Sequence, residues 1–284
     1  AAGFASYQEP GSAEGSFAHM HGSYWPDVFS DPVVLPHFPS LVEPGDPHGR
    51  AQVYGINLAG LMVGESDRDP KISQIMLAAI GVERPVSWTP AAEMYPLVDN
   101  ALIPTLAPEV NAAEDPQFAT DNIGGVASDI NDARRVVFHL TPKSLVIDGQ
   151  SYNFHRGYAI TLFESGEPDQ ATRVALATLG GQHTLATSIN EHDQMVGYST
   201  SPGSEDLTAT YWSAPDTVQS LNDPDLVWGL DGALLIQAEA VNDRGQIAAV
   251  GQHAGAPGLY RCYRLDPILL PSDPVIVSVP FPRG

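Results

Sequence analysis

Cysteine occurs once in this chain of 284 residues, at position 262, so no disulfide can form within it and no Cys-based metal pattern exists. Basic residues are scarce as well. Lys and Arg total 13, only two of them Lys (Lys71 and Lys143), against 34 Asp and Glu, which gives a formal charge of −21. Such a surface cannot displace counterions from phosphate, which excludes a nucleic-acid partner, and an anionic bilayer repels it. No apolar run reaches the roughly 20 residues of a membrane helix, so no membrane insertion is expected. Several sequence signatures are missing: GxSxG, HExxH, GxxxxGK[ST], and a GxGxxG after a strand. Their absence removes the nucleophile elbow, the helical zinc site, the phosphate loop and the dinucleotide fold, so no cofactor is predicted.

What remains is apolar and rich in turn formers. Hydrophobic residues are 43% of the chain and charged ones 17%, with 26 Gly and 25 Pro. That is too apolar for a disordered acidic tail and fits short strands joined by turns. The length allows one large all-β domain over 1–284.

A repeat runs through the chain. Tyr54–Gly64, Ser128–Phe138, Thr187–Gly197 and Ala240–Ala248 each place an aliphatic residue before an Asn (57, 131, 190, 242), then a short polar turn and an aliphatic run. Asn folds its side chain onto the following backbone amides, and Gly three places later, where present, supplies a positive φ. Each segment is therefore expected to be a hairpin. Between them, Trp25, Trp88, Phe163, Trp212 and Tyr263 each stand a few residues before a proline. Recurrence in every unit points to core packing for these aromatics. The longest interval between units marks an insertion within 99–122.

The ends supply one more unit. Gly3–Ser12 resembles Val196–Ser204, so the N-terminus is expected to complete a unit that the C-terminus begins at Tyr263, with 274–279 serving as a strand. The reading is an all-β, five-bladed β-propeller, closed by pairing of the N- and C-terminal strands. A β-sandwich is the alternative. One short helix is predicted over 70–80, with Asp69 as cap, Pro70 in its first turn, Gly81 at its end, and Ile72, Ile75, Met76 and Ala79 on one face.

At three of these places the chain resembles the extracellular HAF repeat family: Ile189-Asn190 to Val196-Gly197, Thr210-Tyr211-Trp212, and Thr178-Leu179-Gly180-Gly181. The similarity is good over 158–263. The family's His-Ala-Phe portion is replaced by Tyr158-Ala159-Ile160 and Ala209-Thr210-Tyr211. The resemblance implies a secreted, propeller-like repeat protein with no shared catalytic residues. An extracellular or periplasmic location is expected, and the small residues Ala1-Ala2-Gly3 suit a chain left after signal cleavage.

Chemistry-bearing residues are few. Asp129 and Glu239 are acids that interrupt the apolar repeat inside strands, the candidate pair for a carbohydrate-active hydrolase or lyase working at a central channel. The plainer reading places them in solvent or paired with Arg134, Arg135 or Arg244. His19 and His21, two apart on a strand, share a face and are the candidate ligands of a divalent metal, with help from His37 or His48. The plainer reading is an exposed pair. Asn222, Asp223, Asp225 and Asp231 lack calcium-loop spacing and read as a turn. Cys262 is expected to be a buried small hydrophobe. The expected function is a secreted binding, structural or assembly module that presents loops at 26–50 and 99–122 to a protein or polysaccharide.

Overall fold

The computed structural model describes residues 2–7, 19–27, 29–36, 51–68, 82–99, 106, 123–142, 145–147, 150–152, 154–253, 255–269 and 274–279. It is all-β. The first sheet holds β1 (Ala2–Tyr7), β2 (His19–Tyr24) and β3 (Val33–Val34) in that order. The second is a meander of β4 (Ala51–Ile56), β5 (Met62–Arg68), β6 (Val82–Trp88) and β7 (Met94–Pro96). The third starts with β8 (Ile123–Ile130) and β9 (Arg135–Pro142). A two-stranded hairpin of β10 (Leu145–Ile147) and β11 (Gln150–Tyr152) follows, and then β12 (Arg156–Leu162) and β13 (Pro168–Ala175) complete it. The fourth is β14 (Thr184–Ile189), β15 (Met195–Thr200), β16 (Leu207–Ala214) and β17 (Thr217–Ser220). The fifth uses β18 (Val227–Trp228), β19 (Ala233–Val241), β20 (Ile247–His253), β21 (Ala256–Leu269) and β22 (Pro274–Val279), ordered β18-β22-β21-β20-β19. The chain divides into two compact units: 1–130 with 140–153 and 162–169, and 131–139 with 154–161 and 170–284. The helix predicted over 70–80 and the insertion over 99–122 fall outside the described residues, except for Asp99 and a buried Leu106.

The Asn hairpins form as expected, and one turn serves them all. At Asn57, Asn131, Asn190 and Asn242 the carbonyl accepts the N–H three residues on, and the backbone N–H donates to the carbonyl four residues on. The fourth residue of each turn is left-handed: Gly60 at φ 78°, Arg134 at 65°, Asp193 at 58° and Gly245 at 72°. This is a type I turn followed by a left-handed bulge residue. Thr89 and Phe163 start the same turn, with Ala92 (φ 60°) and Gly166 (φ 87°) as the left-handed residues.

The aromatic pattern holds only in part. Trp88 and Trp212 are fully buried, and they pair across strands with Met62 and Met195. Each indole N–H donates to a carbonyl at 2.8 Å, Trp88 to Pro36 and Trp212 to Ala177. In the unit 131–139, 154–161 and 170–284, Trp212 joins Val137, Ala159, Ala186 and Met195 in one core. In the other unit Trp88 joins Leu35, Ala51, Val53 and Val86. Phe163 does not share this role; it starts a turn and is 51% exposed. The Trp position before that turn is filled by buried Leu162, and in the fifth sheet by Leu265, which pairs with Ile247. Tyr263 lies two residues away from that position and is half-buried. Trp25 is half-buried too.

Two further expectations are corrected. Every residue of β1 pairs with β2, while β22 has β21 on one side and β18 on the other. Among the described residues β1 and β22 therefore belong to separate sheets, one within 2–34 and one within 227–279, and the expected pairing between them is not present there. β22 does form where a strand was expected, but it has no free edge to offer. Cys262 is exposed. Leu265 faces the core, so alternation along β21 puts Tyr263 on the inner face and Cys262 and Arg264 on the outer one.

Candidate functional site

The repeated Asn side chains do more than close turns. Each Oδ1 accepts the N–H four residues on, at 3.0 Å from Leu61, 2.8 Å from Arg135, 3.0 Å from Gln194 and 3.0 Å from Gln246. Each of two Nδ2 groups also donates to the next repeat. Asn131 donates to the Asn190 carbonyl at 3.0 Å, and Asn190 to the Asn242 carbonyl at 2.9 Å. The following residue adds a parallel link. The Asp132 N–H donates to the Glu191 carboxylate at 2.9 and 3.0 Å, and the Glu191 N–H to Asp243 Oδ1 at 2.9 Å. An asparagine ladder thus ties three successive hairpin tips together. Asn131 and Asn190 are buried while Asn242, at the end, is exposed.

The first strands of neighbouring repeats lie side by side below these tips. β14 packs on β19, where the Thr187 hydroxyl donates to the Ala238 carbonyl at 2.7 Å. In the other unit β4 packs on β8, and Gly55 sits so close that a Cβ would stand 3.0 Å from Asp129 Cα. A bulge recurs three residues before the Asn, with Tyr54, Thr187 and Glu239 as the extra residues. Bulges re-aim side chains and sharpen twist, which places these residues off the regular pleat. Gly64 and Gly197 lie opposite the bulges; a Cβ on either would stand 1.9 Å from a carbonyl, that of Gln52 or of Leu185. This close approach explains the recurring Val-Gly pair.

The candidate acids now find their places. Glu239 is exposed and is a bulge residue. The buried position of Val53, Ala127 and Ala186 belongs in β19 to Ala238. Asp129 is half-buried, and its Oδ1 accepts the Ile130 N–H at 2.9 Å. It belongs to the unit containing 1–130 and Glu239 to the other. His19 and His21 lie on β2, opposite Tyr7 and Ala5, which keeps them on one strand as expected; their side chains, and His37 and His48, fall outside what is described. Among the described residues no group of three His, Cys, Asp or Glu is arranged to hold a metal ion. The segment from Asn222 to Asp225 is a turn: the Asn222 amide brackets Leu235, accepting its N–H at 2.7 Å and donating to its carbonyl at 2.8 Å, while Asp223 Oδ1 takes the Asp225 N–H at 2.9 Å.

One cluster has no counterpart in the sequence reading. His139, His155 and His183 form a row, with ring centroids 5.6 Å and 5.3 Å apart, and Tyr198 stands 6.0 Å from His155. Burial pushes the Tyr198 phenol up to about 12, and its hydroxyl is hydrogen-bonded to His155 Nδ1. His183 is buried and its Nε2 lies 3.2 Å from the exposed carboxylate of Glu205. These residues come from segments far apart in sequence, so no local spacing announces them. The row brings the residues just before β12 and β14 beside side chains of β9 and β15. On the first repeat, the Tyr54 hydroxyl lies 3.0 Å from Gln52 Oε1 and 3.1 Å from Glu65 Oε1, and burial, then Glu65, hold its phenol well above the usual range.

A comparison with models of known protein families found no match, and a comparison with curated proteins found none. No helix among the described residues is long and apolar enough to cross a membrane.

Proposed function

We propose that this is a secreted repeat protein of the HAF type whose five sheets are the blades of one β-propeller, and that it works as a non-catalytic binding or assembly module. The asparagine ladder carries this reading. It sets three successive hairpin tips, at Asn131, Asn190 and Asn242, edge to edge, which is the relation that neighbouring blades have in a propeller. Five of the six sheets have three or more strands and follow one another along the chain, which supports a count of five. The rigid scaffold would present the segments 26–50, apart from β3 and Leu35, and 99–122 to a protein or polysaccharide.

The test is binding by the intact chain against a deletion of 99–118, read on an array of immobilised acidic and neutral polysaccharides. Binding by the intact chain that the deletion abolishes, with the melting transition retained, supports the reading. Release of new reducing or unsaturated ends from any polysaccharide would replace it with the hydrolase or lyase reading. Unfolding of the deletion variant at room temperature would count against the loop's role.

A further inference from the structure

The ladder repeats one donor set, and the chain itself shows twice what fills it. At Asn131-Asp132 the side-chain amide and the next backbone N–H meet the Asn190 carbonyl and the Glu191 carboxylate. At Asn190-Glu191 the same two donors meet the Asn242 carbonyl and the Asp243 carboxylate. At Asn242-Asp243 the set is present and open. Asn242 Nδ2 spends one hydrogen on its own Gln246 Oε1 at 2.8 Å, as Asn190 does on Gln194 at 2.7 Å, and the second hydrogen has no acceptor among the described residues. The Asp243 N–H has none either. Both residues are exposed, and the hairpin is held firm from behind, where Gln246 donates to Asp266 at 2.6 Å. One feature is added that the inner rungs lack. Arg244, the next residue, is exposed, and its guanidinium makes no ion pair or hydrogen bond among the described residues. It adds a cation beside donors already aimed at a carboxylate, in a chain with few cations.

We propose that this last rung is a peptide-binding site, which takes an acidic turn presenting a backbone carbonyl followed at once by an Asp or Glu side chain. The carbonyl would accept from Asn242 Nδ2, the carboxylate from the Asp243 N–H, with Arg244 as its counter-charge. The partner is a protein or peptide bearing such a turn. The inference rests on the ladder geometry and not on the propeller reading, so the loop deletion above leaves it unaffected.

The probe is a cyclic peptide of residues 187–197, closed by an added terminal disulfide, titrated into the whole 15N-labelled chain. Saturable shifts are expected at the Asp243 and Arg244 amides. Arg244→Ala, an exposed substitution whose melting transition is checked alongside, should weaken binding about tenfold. So should replacing the peptide's glutamate with glutamine. Absence of shifts at those two amides would overturn the proposal. So would equal binding by the glutamine peptide, or binding untouched by Arg244→Ala.

Discussion

If the asparagines are ladder rungs and not only turn formers, Asn190→Asp is the substitution that separates the two roles. Aspartate serves a local turn of this kind as well as asparagine does, because its oxygen still accepts from the N–H groups of His192 and Gln194, both now at 3.0 Å. What it loses is Nδ2, which donates to the Asn242 carbonyl at 2.9 Å and to Gln194 Oε1 at 2.7 Å. A carboxylate oxygen would face both acceptors at a residue only 3% exposed. Two lost part-buried hydrogen bonds, with a carboxylate oxygen set against both acceptors, cost roughly 3 kcal/mol, and a chain of this size should lose roughly 6–12 °C of melting temperature. Asn242→Asp is the control. Its Nδ2 makes one exposed bond within its own hairpin, so the change should cost less than about 1 kcal/mol. Urea unfolding followed by tryptophan fluorescence reads both, since Trp212 lies in the core beside the ladder. A cost for Asn190→Asp within about 0.5 kcal/mol of the control would refute the ladder as a source of stability.

Three other outcomes follow from the geometry. Gly197→Ala should cost more than about 2 kcal/mol in the same assay, because a Cβ would stand 1.9 Å from the Leu185 carbonyl; Gly203→Ala, with φ +70° and open space, should cost only about 1 kcal/mol. The Tyr198 phenol has its folded pKa raised from 10.0 to about 12, so its contribution is complete below pH 10 and is lost as pH rises through 12; ultraviolet titration should show this tyrosine ionising late, together with falling stability, and ionisation near pH 10 would contradict it. Exposed Cys262 should react with a thiol reagent in the native protein at the rate of an open thiol, and protection until unfolding would contradict its outward placement.

The parts of the fold written in local chemistry were legible. Four Asn hairpins and the strand at 274–279 follow from turn residues and short apolar runs, and all of them form. The aromatic pattern was legible only where a Trp holds the core position. At Leu162 and Leu265 an aliphatic residue holds it, and the nearby aromatics Phe163 and Tyr263 drew the alignment off by one and two places. The parity of β21 was hidden for the same reason, so Cys262 was placed on the wrong face. The bulges escaped because Tyr54, Thr187 and Glu239 share no side-chain character; each stands three residues before its Asn, and the buried series, four residues before, continues at Ala238. The inter-repeat links are a matter of spatial adjacency, although one sign of them was present: Asp132, Glu191 and Asp243 each follow the repeated Asn. The histidine row left no such sign.

The most direct test of the whole account is a crystal structure of the intact chain, inspected for how its five sheets are disposed. If the sheets are the blades of one propeller, they radiate from one axis, with β4, β8, β14 and β19 innermost and the asparagine tips together on a single rim. Sheets stacked face to face, or hairpin tips dispersed over different faces of the molecule, would contradict it.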